Sequence, residues 1–364
     1  YTTPHQTKTL YERIKEAKPE FLYIAADGPR DDKFDDIQKC AQTREIVNNI
    51  DWSCEVKTLF RDTNLGCKNA VSSGITWFFN NVEQGIIIED DCLPSLSFFK
   101  YCEELLEKYK YDSRIMHISA ENPLNETFGD ASYYFSTLPH IWGWATWRRA
   151  WQKYDVEFKN FDKFIKNNLI KNVFKQKEAQ QYWNKIFTRV KNGEINTWDY
   201  QWTYSLFMNN ALAITPNTNM VSNIGFGSEE AAHTSDISEC ANRIASETEI
   251  ITHPKFILPC SNAIEQTLKI RYDIHKKTPL FIAKREISRI KKKYTEKKKY
   301  KLLANYSTSI LERTIFKKQL AKKIYEQYLL PKLKTHKKDQ VKKDFYQSEA
   351  FKNRTKILHI NTAI

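Results

Sequence analysis

Three consecutive carboxylates, Glu89, Asp90 and Asp91, directly follow the short apolar run of residues 85–88. A short apolar run is typical of a buried strand, and acids at the carboxyl end of a strand lie where open α/β folds bind ligands. One acid is enough to cap the helix that follows, whereas three neighbouring carboxylates repel one another without a counter-ion. Because carboxylate oxygens suit hard divalent cations, the triplet predicts a cation site and, with it, a site for a diphosphate.

Trp142, Gly143 and Trp144 form a second cluster whose chemistry points to a ligand. A glycine lets a ligand approach the backbone closely, and indole rings offer flat apolar faces that suit sugar rings. The alternative is that Trp144, Trp147 and Trp151, spaced by three and four residues, form the buried face of a helix. We assign Trp142, Gly143 and Trp144 to a sugar-binding loop, and Trp147 and Trp151 to the core.

Three further segments place polar residues at the ends of predicted strands or at the start of a predicted helix. They are residues 25–30 (AADGPR), 197–202 (TWDYQW) and 223–234 (NIGFGSEEAAHT). The first is typical of a strand that ends in an Asp-Gly turn. The second opens a helix, and the third is a glycine-rich loop after the last strand.

Hydrophobic periodicity assigns these segments to an alternating series of strands and helices. The predicted strands cover residues 21–26, 55–60, 85–89, 115–120, 212–215 and 219–222. The predicted helices cover residues 8–17, 33–49, 67–81 and 95–109, two stretches within 160–190, and a helix that starts near Asp199. The order strand, helix, strand, helix, strand predicts an α/β fold with a parallel sheet covered by helices.

Charge is divided unevenly along the 364 residues. Residues 261–364 contain 28 basic and 9 acidic residues, whereas residues 1–260 contain 29 and 35. We therefore predict an acidic α/β domain over residues 1–260 and a basic, mainly helical extension over residues 261–364. The two parts are expected to meet different partners.

Cysteine usage and hydropathy bear on the compartment. The seven cysteines form no CxxC pair and no zinc-binding spacing, which fits free thiols in a reducing compartment. No uncharged apolar run approaches the roughly 20 residues of a membrane span, and the N-terminus has no secretory pattern. We expect a protein of the cytoplasm.

Taken in order, the motifs of residues 1–240 resemble those of GT-A-fold glycosyltransferases, which transfer a sugar from a nucleotide diphosphate. The resemblance is closer to enzymes of bacterial surface polysaccharides and fainter to the animal N-acetylglucosaminyltransferase that acts on the mannose core of N-glycans. It implies a Rossmann-like, mostly parallel central sheet, Mn²⁺ or Mg²⁺ as cofactor, and a nucleotide-diphospho-sugar donor, with a UDP-sugar favoured. The acceptor implied is a glycan or a lipid-linked glycan.

The same resemblance implies roles on the donor side of the site. Asp91 would contact the metal, while Glu89 and Asp90 would hold the ribose and the local loop. Asp27 would lie against the nucleotide base, although an Asp-Gly turn explains it equally well. Lys68 would reach the ribose or the diphosphate, and the alternative is a solvated lysine at the end of a helix.

Asp199 and His233 complete the implied site. In the resembled enzymes an acid at the position of Asp199 is the catalytic base, which implies direct displacement and an inverted sugar. The alternative role, an N-cap, is compatible with it. Glu194 is a weaker substitute for the base. His233 would bind the metal or the diphosphate, and the alternative is a structural or exposed histidine.

The N-terminus departs from the resembled pattern. The first strand of that fold normally precedes a polar loop that contacts the base and ribose. Residues 1–6 resemble the loop, and no strand precedes them. We interpret the sequence as truncated here; otherwise an inner edge of the sheet would be exposed.

Residues 261–364 lie outside the resemblance. Lysine clusters at 291–293 and 297–299, interleaved with aromatic and aliphatic residues, suit an anionic membrane surface. The same charge would suit nucleic acid, but no recognition module accompanies it. A solvated or partner-bound helical extension is the third interpretation. We expect peripheral attachment to the inner membrane.

These observations lead to one main prediction and two alternatives. The main prediction is a metal-dependent, inverting glycosyltransferase of lipopolysaccharide, capsule or related glycan synthesis. A sugar nucleotidyltransferase would also combine an α/β sheet with acids and a metal, but its glycine-rich, basic phosphate-binding start is not visible. A basic scaffold or nucleic-acid-binding protein with an inert acidic body is the non-enzymatic alternative.

Overall fold

A computed structural model describes residues 1–48, 50–124, 126–226 and 243–275 of the chain. It confirms each helix predicted within the first 208 residues. The α-helices within the described ranges are α1 Pro4–Ala17, α2 Phe34–Ile46, α3 Gly66–Asn81, α4 Leu96–Lys108, α5 Arg148–Trp151, α6 Phe161–Lys166, α7 Lys177–Lys191, α8 Asp199–Met208 and α9 Ser261–Ile270.

The predicted strands are also present, and the structure adds three short ones. The strands within the described ranges are β1 Phe21–Ala26, β2 Glu55–Phe60, β3 Gln84–Ile87, β4 Cys92–Pro94, β5 Ile115–Ser119, β6 Tyr133–Ser136, β7 Trp144–Trp147, β8 Leu212–Pro216 and β9 Val221–Asn223. The additions are β4, β6 and β7. Residues 144–147 are thus a strand, so the helical interpretation of this segment is wrong there and holds only from Arg148 onward.

The central sheet is mixed. Its five strands lie in the order β3-β7-β5-β8-β6. β5 and β8 are parallel, whereas β7 pairs antiparallel with both β3 and β5, and β6 pairs antiparallel with β8. The predicted α/β class is confirmed, but the central sheet is mixed where a mostly parallel one was expected, because β7 lies between β3 and β5 and runs antiparallel to both. The fold class is mixed α/β with flanking helices.

β1 and β2 form a separate parallel pair, and α3 joins them to the central sheet. Phe78 of α3 stacks edge-on against Tyr23 of β1, with ring centroids 5.1 Å apart. The same ring lies over Gly85 of β3, where a β-carbon would come within 2.3 Å of it. The absence of a side chain at Gly85 thus lets α3 pack across both strands, immediately before the acidic triplet.

The buried face of α4 fills the main core. Phe98, Tyr101, Cys102 and Leu105 have no exposed surface and recur at helical spacing. They pack with residues of β5 and β7, and the Trp147 indole N–H donates a hydrogen bond of 3.0 Å to the Leu106 carbonyl. Burying each large apolar side chain contributes about 1.5–3 kcal/mol. This core holds the end of β3 against the middle of the sheet.

Residues 243–275 return to the same folded unit. The Glu247 carboxylate accepts hydrogen bonds of 2.9 and 2.7 Å from the amides of Leu96 and Ser97 at the start of α4. Ala263 and Leu268 of α9 are buried. A single unit runs from Tyr1 to His275, so it extends beyond the predicted boundary at residue 260. The predicted basic extension from residue 276 onward lies outside the described residues.

Within the described part of the chain, no helix combines the length and the apolar character needed to cross a membrane.

Candidate functional site

The end of β3 brings Asp91 against the loop that follows β9. The Asp91 carbonyl accepts a hydrogen bond of 2.7 Å from the Ile224 amide. The Asn223 side-chain amide donates to Asp91 Oδ2 at 3.3 Å. At Gly225 a β-carbon would lie 2.6 Å from the same Oδ2, which explains why this position is a glycine. The pairing of β4 with β9 therefore fixes the loop directly over the Asp91 carboxylate.

The negative charges of Glu89 and Asp91 repel each other. Burial first, and then the charges of Asp91, Asp90 and Asp199, together raise the pKa of Glu89 to about 8, against a hydrogen bond from Trp198 that lowers it. Burial and the charge of Asp90 also raise the pKa of Asp91. Glu89 Oε1 is buried and has no hydrogen-bond partner among the described residues. A cation here would relieve this repulsion.

Asp90 behaves differently from its two neighbours. Its Oδ2 lies 3.1 Å from the amino group of Tyr1 and accepts a hydrogen bond from the Thr3 hydroxyl at the start of α1. Burial would raise the pKa of Asp90, but the Tyr1 amino group and the Thr3 hydroxyl lower it below its ordinary value. The alternation expected of an extended segment does not explain this division, because Asp90 and Asp91 lie in a turn that the Cys92 amide closes with a hydrogen bond of 3.0 Å to the Glu89 carbonyl.

Asp27 holds the first turn of α3. Its side chain is buried, and its carboxylate accepts hydrogen bonds of 3.0 Å from the amides of Gly28, Leu65 and Gly66. The amides of Leu65 and Gly66 are backbone donors that the start of α3 itself leaves unpaired. The structure thus gives Asp27 a capping role, and its contact with a nucleotide base stays a prediction.

The first turn of α3 faces the carboxylates. Desolvation, together with the charges of Glu89 and Asp199, raises the pKa of Cys67 to about 11, so Cys67 lies within electrostatic reach of both acids. Lys68 is the next residue, half-buried. Its ammonium makes no hydrogen bond or ion pair within the described residues. The N-terminal end of a helix, which suits a phosphate, therefore lies within electrostatic reach of the acids.

Asp199 is the first residue of α8 and lies close to Glu89. The N-cap position belongs to Trp198, so the N-cap interpretation of Asp199 is wrong. The Thr197 hydroxyl donates a hydrogen bond to Asp199 Oδ1, which orients the carboxylate. Glu194, the alternative base, instead pairs with Arg189 at 3.2 Å on the surface.

A pocket opens beside Asp199. Its volume is about 90 Å³. It is lined by residues from the 139–141 segment, from α8 and from the end of α9: Pro139, His140, Ile141, Asp199, Tyr200, Thr203, Arg271 and Tyr272. Asp199 thus lies within electrostatic reach of Glu89 and also lines the pocket.

Arg271 in the pocket wall is held from two sides. Its Nη1 lies 2.5 Å from Oε1 of Glu121, a carboxylate that is 1% exposed. Its guanidinium also lies 4.8 Å from the centre of the Trp142 ring, a cation–π contact. Sequence reasoning missed both charged residues. Glu121 directly follows β5 and could have been found as an acid at the end of a strand.

The predicted sugar loop divides into two parts. Trp142 is half-buried, and its ring contacts Arg271 and, at 5.6 Å between centroids, Phe226. Gly143 has φ of 63°, a conformation that favours glycine. Trp144 has no exposed surface and stacks between His117 and Trp198. Trp142 therefore contacts the pocket residue Arg271, whereas Gly143 is buried against Ala120, Val221 and Phe98, and Trp144 lies in the core.

The predicted metal ligand His233 lies outside the described residues, so its contact with a metal stays a prediction. Among the described residues, no group of three His, Cys, Asp or Glu side chains is arranged to hold a metal ion. Any cation here would need further ligands.

Fold and site together define a mixed α/β protein with acids that converge after β3, an edge strand of the five-stranded sheet. A scan against protein-family models finds no match, and a search of curated proteins finds none either. The assignment of a function consequently rests on the chemistry of this chain's own residues.

Proposed function

We propose that this chain is a metal-dependent glycosyltransferase of the GT-A type that uses a nucleotide-diphospho-sugar donor. One observation carries the proposal: Glu89, which stands two residues before Asp91 in the acidic triplet, lies within electrostatic reach of Asp199 at the start of α8. These acids are distant in sequence and differ in their proposed roles. Glu89 and Asp91 suit a cation and a diphosphate, whereas Asp199 suits proton transfer beside the pocket.

Glu89 and Asp91 fit a hard divalent cation such as Mn²⁺ or Mg²⁺. Both offer carboxylate oxygens, and Glu89 Oε1 is a buried acceptor without a partner in the described part of the chain. Such cations often bind through one or two carboxylates, with substrate phosphates and water completing the coordination, which agrees with the lack of a three-residue group there. When bound, the cation neutralises negative charge that develops on the departing diphosphate.

The donor would lie between the acids and α3. Lys68 and the N-terminal end of α3 would offer positive charge to the diphosphate. Asp27 holds that turn in place through its hydrogen bonds from the amides of Leu65 and Gly66. The half-buried indole of Trp142 offers its free surface to a sugar ring.

Asp199 supplies the base for transfer. The acceptor hydroxyl gives its proton to the Asp199 carboxylate, and its oxygen bonds to the anomeric carbon of the donor sugar. The bond from that carbon to the diphosphate oxygen breaks, and its electron pair leaves with the nucleoside diphosphate. A single displacement of this kind inverts the anomeric configuration.

A donor panel tests the proposal. UDP-, GDP-, dTDP- and CMP-sugars are added with Mn²⁺ or with EDTA, and thermal unfolding and release of the nucleotide product are measured. A donor at 100 times its Kd stabilises the folded state by about 2.7 kcal/mol, a rise in Tm of about 5 °C for a chain of this size. We expect one donor to give this rise only with Mn²⁺. No rise with any of them would contradict the proposal.

Gly225→Ala is expected to weaken Mn²⁺-dependent donor binding by about tenfold. The added methyl group would meet Asp91 Oδ2 at 2.6 Å and Asp91 Cβ at 2.9 Å, and overpacking of this kind costs about 1–3 kcal/mol. Calorimetric titration of the donor measures the effect. The control is Gly193→Ala, at a positive φ but with open space around it in the described structure. Equal donor affinities for the two variants would refute the steric role of Gly225.

We also propose that the basic extension binds an anionic membrane surface, where a lipid-linked acceptor would lie. Replacing the lysines at 291–293 and 297–299 by glutamine is expected to reduce binding to anionic vesicles at least tenfold, since each lysine near such a surface contributes about 1 kcal/mol. Vesicle sedimentation at two salt concentrations measures it. Replacing the exposed Lys163, Lys166 and Lys171 of the folded unit is the control. Unchanged sedimentation of the first variant would exclude the membrane role.

A further inference from the structure

The pocket beside Asp199 contains a buried nitrogen that has no hydrogen-bond partner in the described part of the chain. This is Nδ1 of His140, a residue that lines the pocket and is 2% exposed. Leaving a buried polar atom without a partner costs about 1–3 kcal/mol. An occupant of the pocket that offers a hydrogen bond would remove this cost.

The imidazole of His140 is a neutral group in this setting. Burial lowers the pKa of His140 well below its ordinary value, and the positive charges of Arg271 and Arg243 add to the effect. A neutral imidazole carries one N–H, so Nδ1 either donates or accepts according to the tautomer. A hydroxyl group matches both tautomers because it can donate and accept. A carboxylate, which only accepts, matches one.

The charges around the pocket are already balanced. Arg271 is bound by Glu121, and Arg243 also lies within electrostatic reach of that carboxylate. Asp199 supplies the second negative charge. An anionic substituent would have to compete with Glu121 for Arg271, and separating a buried ion pair is strongly unfavourable. The wall therefore suits an uncharged, hydroxyl-rich ligand.

The shape of the pocket agrees with this chemistry. A volume of about 90 Å³ corresponds to about three water molecules. This space is too small for a whole hexose and large enough for one edge of its ring. Ile141, Tyr200 and Tyr272 give the wall apolar and aromatic surface, which suits the C–H face of a sugar.

We propose that this pocket binds an uncharged sugar of the acceptor through two neighbouring hydroxyls, the reacting one at Asp199 and the next at Nδ1 of His140. The identity of this sugar as an acceptor rests on the function proposed above. The pocket itself can be tested without a donor, because binding requires no transfer.

The experiment is an NMR titration of the full chain with methyl glucoside, methyl galactoside, methyl mannoside and, as the charged probe, methyl glucuronide. We expect at least one neutral glycoside to shift the ring nitrogens of His140 and to bind at least tenfold more tightly than the glucuronide. His140→Ala is expected to weaken that glycoside about fivefold, the effect of one hydrogen bond. The control is His253→Ala, a histidine outside the pocket that pairs with Glu104.

Each outcome supports or overturns the inference. A glucuronide that binds as tightly as the neutral glycosides, or no shift at His140 with any of them, would overturn it. The shift is measured on the unaltered protein, so the test survives if His140→Ala fails to fold. If neutral glycosides shift His140 but no nucleotide sugar is consumed, the pocket stands and the transferase proposal fails. If transfer occurs with an unchanged acceptor KM in His140→Ala, the transferase proposal is supported and the proposed role of the pocket fails.

Discussion

Asp199→Asn is expected to lower kcat for sugar transfer by about 10²–10⁴-fold, the contribution of a positioned general base. Asparagine has the same shape and keeps an oxygen for the hydrogen bond from the Thr197 hydroxyl, but it cannot accept the acceptor's proton at neutral pH. Donor affinity should change little, because Asp199 is assigned to the acceptor hydroxyl. Steady-state kinetics and calorimetric titration of the donor separate the two effects.

A matched control and a stereochemical measurement make this prediction specific. Asp162 lies in the first turn of α6, on another helix, and Asp162→Asn should leave kcat unchanged. NMR of the transferred sugar should show inverted configuration at the anomeric carbon. Retained configuration, or full activity of Asp199→Asn, would remove Asp199 as the base.

Asp91→Asn is expected to reduce Mn²⁺-dependent donor affinity by at least about 100-fold. Loss of an outer-shell partner alone commonly costs 10–100-fold in metal affinity, and Asp91 is proposed as a direct ligand. The substitution also keeps the side-chain shape beside the Asn223 amide, and it leaves the main-chain carbonyl that accepts the Ile224 hydrogen bond unchanged. Donor titration with Mn²⁺ and with EDTA measures the difference.

Asp90→Asn provides the internal control for Asp91. Asp90 is adjacent in sequence and is also an aspartate, but its carboxylate contacts Tyr1 and Thr3 at the start of α1. We expect Asp90→Asn to keep most of the Mn²⁺ dependence. Equal losses in the two variants would mean that the triplet acts through its total charge, and the assignment of Asp91 as the ligand would fail.

Local periodicity predicted the helices and most of the strands, but it did not predict which strands pair with one another. The apolar spacing of α3 and α4 depends on neighbouring residues, so the sequence displays it directly. The direction of a strand in the sheet depends on residues that are distant in sequence, so no local pattern displays it. β3 pairs with β7, whose residues lie about sixty positions later, and no local pattern records that pairing. The sheet is consequently mixed where a parallel one was predicted.

The segment of residues 144–151 shows how a spacing pattern can mislead. Trp144, Trp147 and Trp151 follow helical spacing, yet the first two belong to β7 and only the last to α5. All three are buried. Burial at the end of a strand and at the start of the next helix produced the same pattern as one continuous helix face.

The candidate site could be predicted only where its chemistry is contiguous. Glu89, Asp90 and Asp91 stand together in the chain, and Asp199 opens a recognisable helix. Arg271 and Glu121 form their ion pair across 150 residues. Arg271 also lies within the stretch that charge counting assigned to the basic extension. Tertiary structure was needed to show that this arginine belongs to the pocket.

The central claim is that Glu89 and Asp91 hold a divalent cation that binds the diphosphate of a sugar donor. Crystals soaked with Mn²⁺ and the donor selected by the panel test it directly, because manganese gives an anomalous signal. We predict a peak about 2.0–2.4 Å from an Asp91 oxygen and from the diphosphate oxygens. A bound donor with no manganese beside Asp91 would contradict the account.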